Sequence, residues 1–232
     1  MADFDSYNED ITRFYELMAV LEDGLGGKRL LGECTGKQAW PRRGVYFIFE
    51  DGETRADDLE ALRVTRVGTH AIREGQETTL WARLRNHRGT KTGGGYQRSS
   101  VFRRHVGLAL MNRFQDTIEI PSWKNYNPTK EERQREWELE RLVSNYIGKT
   151  RLLWLSIEDA PSPISDRAYI EKQAIALLSN PLNRDRPTSG WLGNYSPRNE
   201  IKSSGLWNVD HVSVNYEPKF LDVFEKYVKK SI

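Results

Sequence analysis

The sequence predicts an α+β chain, because three short apolar stretches with strand character are interleaved with segments of helical spacing. Gly44 to Phe49 is a β-branched and aromatic run bounded by Pro41 and Asp51-Gly52, which reads as a strand. Leu62 to Val67 supplies a second, and the two are expected to pair antiparallel across a polar, acidic surface connection. From Arg151 to Ile157, the nearly continuous run Leu152, Leu153, Trp154 and Leu155 suits a buried central strand.

The helices follow from periodicity and caps. Ile11, Phe14, Tyr15, Met18 and Leu21 predict a helix over about 9–23, stopped by the glycine cluster at 24–27. That cluster follows a helix rather than a strand, so it is no phosphate loop. Thr78 or Thr79 caps a helix from Leu80 to about Arg88, and Ser99 or Ser100 caps a second basic helix after Gly93-Gly94-Gly95. Thr129 with Glu132 forms a capping box for a charge-alternating helix over about 131–141. A helix starting at Ser165 or Asp166 runs to Leu178 and is broken by Asn180-Pro181. The stretch 184–218 turns to Gly, Pro, Ser and Asn with Trp191, Tyr195 and Trp207 interleaved, and no role is assigned to it. A last amphipathic helix covers Phe220 to Val228.

At 232 residues the chain suits one well-packed domain over 1–232. The net charge of +2 balances 35 basic against 33 acidic residues, so the distribution along the chain informs more than the total. The single Cys34 excludes an intramolecular disulfide and a zinc-thiolate cluster. The acidic, polar start is unlike an export signal, and a cytoplasmic location is expected. No apolar run approaches the ~20 residues of a membrane span, in keeping with a mean hydropathy of -0.70, so no membrane role is expected.

Glu171 shares a helix face with Ala168, Ala174, Ile175 and Leu178. A carboxylate among core positions must be paired, protonated or bound to a metal, and the spacing alone leaves a buried salt bridge and a metal site equally open. Arg83 and His87 lie four apart, hence on one helical face. Either they form a solvated face, or they supply the phosphate donor and proton-transfer group that phosphoryl transfer needs. Tyr46 is ambiguous by itself, since a strand tyrosine is most often half-buried packing. His70, His105 and His211 share no metal-ligand spacing and are read as ordinary residues.

Between Glu77 and Asp116 stand eight basic side chains and no acid: Arg83, Arg85, Arg88, Lys91, Arg98, Arg103, Arg104 and Arg113. They form either a surface that tracks a phosphate backbone or a solvated helix face paired with acidic segments 131–140 and 50–60. The first reading is preferred, since the run has no internal counter-charge.

Taken in order, Gly44-Val45-Tyr46, Arg66-Val67-Gly68, the Arg83 and His87 pair, Glu171 and Asn183 resemble the GIY-YIG nuclease superfamily. The resemblance implies a three-stranded antiparallel sheet flanked by helices, with a core at about 41–92 and 149–185. A helical insertion at about 93–148 and a C-terminal extension at about 186–232 complete it. It further implies Tyr46 as general base or water-orienting group, Arg83 as phosphate clamp, His87 as proton relay, Glu171 as sole protein ligand of Mg²⁺ or Mn²⁺, and Asn183 as the asparagine after the glutamate helix. The insertion resembles segments that carry target recognition in restriction-enzyme relatives. One position departs from the pattern: Arg66 stands where the second tripeptide normally begins with tyrosine, and an arginine cannot accept a proton.

The reading is therefore a metal-dependent DNA endonuclease, acting in restriction, defence or repair as a monomer or homodimer, with double-stranded DNA as partner. A catalytically impaired nucleic-acid-binding module is the alternative, and a protein-interaction domain a third. Arg66, Arg85, Arg88, Lys91, Arg98, Arg103 and Arg104 are the expected nucleic-acid contacts.

Overall fold

The computed structural model describes residues 4–115 and 118–232. Eight α-helices are found among them: α1 (Phe4–Leu25), α2 (Leu80–Arg88), α3 (Val101–Arg113), α4 (Lys130–Arg135), α5 (Trp137–Gly148), α6 (Asp166–Leu178), α7 (Asn199–Ser204) and α8 (Phe220–Ser231). Four strands, β1 (Arg29–Leu30), β2 (Gly44–Thr54), β3 (Leu62–Gly68) and β4 (Arg151–Ser156), form one antiparallel sheet in the order β1-β4-β2-β3. Among the described residues no helix is long and apolar enough to cross a membrane.

The sheet has four strands rather than three. Its extra edge strand is only two residues long, Arg29 and Leu30 against Leu152 and Arg151, too short to carry an alternation in the sequence. Strand β2 also continues past Phe49 to Thr54 through register shifts, so Glu50 and Glu53, expected on the surface, are buried. Glu50 accepts hydrogen bonds from the indole N–H groups of Trp191 (3.1 Å) and Trp207 (2.7 Å) and from the Tyr146 hydroxyl. Glu53 pairs with the buried Arg63.

Both faces of the sheet are covered, which is why its strands read as unbroken apolar runs. Val45, Phe47, Phe49, Val67, Leu153 and Leu155 belong to a core shared with residues of α1, α6 and α8. Tyr46, Ile48, Leu152 and Trp154 belong to a second core with residues of α2, α3 and α5 and with Trp191 and Trp207.

The expected caps locate the helices. Thr79 accepts from the Ala82 N–H, Ser100 from that of Arg103 and Ser165 from that of Ala168, while Thr129 and Glu132 close a capping box. The helix predicted over 131–141 is two helices, interrupted at Glu136. That residue's buried carboxylate takes Arg98 and the Ser122 hydroxyl. Helix α1 begins earlier than predicted because Tyr7 is buried, its hydroxyl on the Leu177 carbonyl at 3.2 Å.

Strand β3 is the sheet edge on the other side, and the segment after α7 seals it. The Trp207 N–H donates to the Thr65 carbonyl (2.8 Å), and Asn208 brackets Val67, accepting from its N–H (3.1 Å) and donating to its carbonyl (2.9 Å). Edge groups that would template aggregation are thereby satisfied.

Candidate active site

A cleft of about 410 Å³ opens beside the C-terminal end of β3, lined by Ile175 of one core and Trp207 of the other. Helix α2 contributes Arg83 to its lining, α3 contributes His105, β3 contributes Arg66 and α6 contributes Glu171. The segment that seals β3 adds Trp207 through His211. Ala71 (φ 50°) and His211 (φ 67°), the non-glycine residues with positive φ among those described, both line this cleft. Such strain persists only where surrounding structure enforces it. Here the fully buried Arg167, paired with Asp159, donates to the carbonyls of His70 and Ala71.

Glu171 is partly exposed, with Oε1 accepting from the Thr69 N–H at 3.0 Å. None of the ion pairs among the described residues includes it. The salt-bridge alternative left open by the helix spacing is therefore not what the fold adopts. Desolvation pushes the Glu171 carboxyl up to about 7, against the opposing pull of Arg66, the Thr69 amide and Arg83, while Asp210 adds to the rise. A carboxylate in this state has unused acceptor capacity and gains from a cation. Among the described residues no three His, Cys, Asp or Glu side chains gather as a self-sufficient metal site. A hard divalent ion on Glu171 would complete its shell with water and phosphate oxygens, as Mg²⁺ commonly does. The residues present fit such an ion.

Tyr46 and His87 are absent from the lining of the cleft. Both are wholly buried, with the Tyr46 hydroxyl 2.7 Å from His87 Nε2 and His87 Nδ1 2.7 Å from the Ser100 Oγ. Tyr46 pairs across the ladder with Gly68, and a Cβ there would overlap the phenol. Burial, and then the charges of Arg83, Arg66 and Arg103, hold His87 well below its ordinary pKa, so the ring is neutral near pH 7. A neutral ring between two hydroxyls can pass a proton, taking one at one nitrogen as the other is released, but cannot store it.

Asn183 is elsewhere. Its amide donates to the Leu178 carbonyl at 2.7 Å and accepts from the Asp185 N–H, bracing the turn after α6, and it lines a different pocket with Tyr7 and Arg55.

The basic segment divides. Arg103 is fully buried against Glu140, Arg98 has its side chain buried against Glu136, and Arg88 is buried with Nη1 on the Cys34 carbonyl. These three were expected on a nucleic-acid surface; they are internal braces, Arg103 and Arg98 because acids distant in sequence supply the counter-charge the run lacks, and Arg88 because a backbone carbonyl holds it. Arg85 and Lys91 are exposed, and Arg104 is half-exposed on the Tyr126 ring and hydroxyl.

The sequence reading missed His70, His105 and His211, which line the cleft, and the Trp207 to Asp210 segment. No spacing signals them, since they converge from three separate stretches.

A family model described as GIY-YIG domain matches residues 5–232. No curated protein and no solved structure matches the chain.

Proposed function

The chain belongs to the GIY-YIG family, whose domains imply nuclease activity, and on that premise we propose that it is a divalent-metal-dependent DNA endonuclease. The observation that carries this reading is Glu171: a desolvated carboxylate without an ion-pair partner, in a cleft that also holds Arg66 and Arg83. The carboxylate suits a cation, and the guanidiniums suit the non-bridging oxygens of a phosphodiester.

The reaction is hydrolysis. A water oxygen forms a bond to phosphorus, a bridging P–O bond opposite it breaks, and the leaving oxygen takes up a proton. Arg83 clamps the phosphate and stabilises the charge that accumulates on it. Glu171 would hold the Mg²⁺ or Mn²⁺ ion, which would supply neutralisation of phosphate charge when bound. Tyr46 orients the attacking water and receives its proton as the phenol proton moves to His87 Nε2, with Nδ1 and Ser100 next in line. Because Tyr46 is enclosed, this step needs substrate to open the space over Gly68, where no side chain intervenes. Double-stranded DNA is the partner, contacted outside the cleft by Arg85, Lys91 and Arg104. Asn183 acts only by fixing the turn after α6.

A second reading, a binding module without catalysis, is favoured by Arg66 standing where the family pattern has a tyrosine. Titration of purified protein with Mn²⁺ by calorimetry separates the two. The nuclease reading requires binding that Glu171→Ala removes; salt-sensitive DNA binding with no metal uptake by the wild type supports the module.

A further inference from the structure

Arg66 is a buried cation with no acid in ion-pair contact among the described residues, the Glu171 carboxyl of the same cleft being the acid it acts on. The residue is 7% exposed, Nη1 donates to the Trp207 carbonyl at 2.7 Å, the guanidinium lies 5.0 Å from the Phe102 ring centroid, and Nε is buried with no partner. Three other buried arginines are neutralised, Arg63 by Glu53, Arg103 by Glu140 and Arg167 by Asp159, while Arg88 has Nε and Nη1 on the Gly89 and Cys34 carbonyls. No ion pair among the described residues does this for Arg66. A desolvated guanidinium left this way is costly unless a ligand brings the charge. His105 repeats the pattern: it is 7% exposed, lines the same cleft, and its Nδ1 has no partner.

Two orphaned arginine and histidine sets share the cleft: Arg83 Nε and His70 Nδ1, like Arg66 Nε and His105 Nδ1, are buried with no partner. Arg83 is among the charges that act on His70, whereas Arg66 is the leading charge on His105, with Arg198 and Arg104 beyond it and Glu200 as the nearby acid. The two sets lie within one cleft whose volume accommodates a nucleotide-sized ligand.

We infer that Arg66 and His105 form the receptor for a second phosphate, consecutive with the one clamped by Arg83, so that the cleft engages two successive phosphates of one strand. The identity of the ligand as a nucleic-acid strand rests on the nuclease reading. The Trp207 carbonyl fixes the guanidinium from the segment that seals β3, so the receptor is set before substrate arrives. A tyrosine at 66 would lack this charge, which gives the departure from the family pattern a role in substrate grip.

The probes are thymidine 3′,5′-bisphosphate and thymidine 5′-monophosphate, bound to the full chain in EDTA and measured by calorimetry. Wild type is expected to prefer the bisphosphate by about tenfold or more. Arg66→Gln and His105→Gln should each bring the ratio near one, whereas Arg83→Gln should weaken both ligands and keep the preference. If Arg66→Gln does not fold, His105→Gln carries the test. No preference in wild type, or a preference untouched in the folded variants, overturns the inference. Binding here needs no turnover, so a chain that fails to cut DNA yet shows the Arg66-dependent preference refutes the nuclease reading alone.

Discussion

Tyr46 on β2 and Gly68 on β3 face each other across the antiparallel ladder, and the phenol fills the space that any side chain at 68 would need. The two tripeptides of the sequence pattern are thus a single packing unit. Its glycine gives the tyrosine hydroxyl a path to His87, 2.7 Å away.

Gly68→Ala should therefore destabilise the fold by about 1–3 kcal/mol, the usual cost of overpacking a closed site. Tyr46→Phe keeps the ring and removes one hydrogen bond, about 1 kcal/mol. Denaturant titration checks both values, and both variants should lose cleavage. A Gly68→Ala protein as stable as wild type would contradict the packing.

Glu171→Gln should stabilise the protein and, under the proposed function, abolish metal uptake. The folded pKa of about 7 lies above the ordinary 4.5, so the ionised form is disfavoured by folding, and this cost is fully present above pH 7. The variant should gain about 1–3 kcal/mol at pH 8, and the gain should vanish as pH falls to 4.5. Thermal melts at the two pH values test this. Added Mn²⁺ should raise the melting temperature of wild type only.

Three histidines set an acid limit. Burial, as the largest cause, lowers His70 and His105 to about 4 and holds His87 well below 6.5. The unfolded chain therefore binds protons that the folded one does not, and stability falls as pH drops from 6.5 toward 4. At pH 5 each of His70 and His105 removes about 2 kcal/mol, while Glu171 regains a similar amount as it protonates. The net loss should be a few kcal/mol in wild type and larger in Glu171→Gln, as read from denaturation at pH 7.5 and 5.

Arginines of the basic segment should separate into two classes. Arg103→Ala leaves Glu140 buried without its partner and should cost about 3–5 kcal/mol. Arg85→Ala and Lys91→Ala should leave stability within about 0.5 kcal/mol, as exposed substitutions do. Each should lower DNA affinity and reduce the slope of log affinity against log salt by about one. Equal stability losses in both classes would refute the division.

Much of this was legible because it is local. Strand runs, caps at Thr79, Ser100, Thr129 and Ser165, and the helix carrying Glu171 each rest on a few adjacent residues. What was hidden depends on distant partners: no pattern near Arg103 announces Glu140, and none near Glu50 announces the indoles of Trp191 and Trp207. For the same reason the histidines that converge on the cleft, and the Asn208 clamp on Val67, left no sequence signal. Asn183 was placed by order along the chain, and order does not fix direction: its amide turns back to Leu178.

If Glu171 serves phosphodiester hydrolysis, its removal abolishes cleavage. The most direct test incubates wild type and Glu171→Ala with supercoiled plasmid, with and without Mg²⁺ or Mn²⁺, and resolves the products on a gel. Metal-dependent nicking or cutting by wild type, and none by the variant, is the expected result. Cleavage by Glu171→Ala at the wild-type rate, or wild-type cleavage indifferent to added metal and to EDTA, would contradict it.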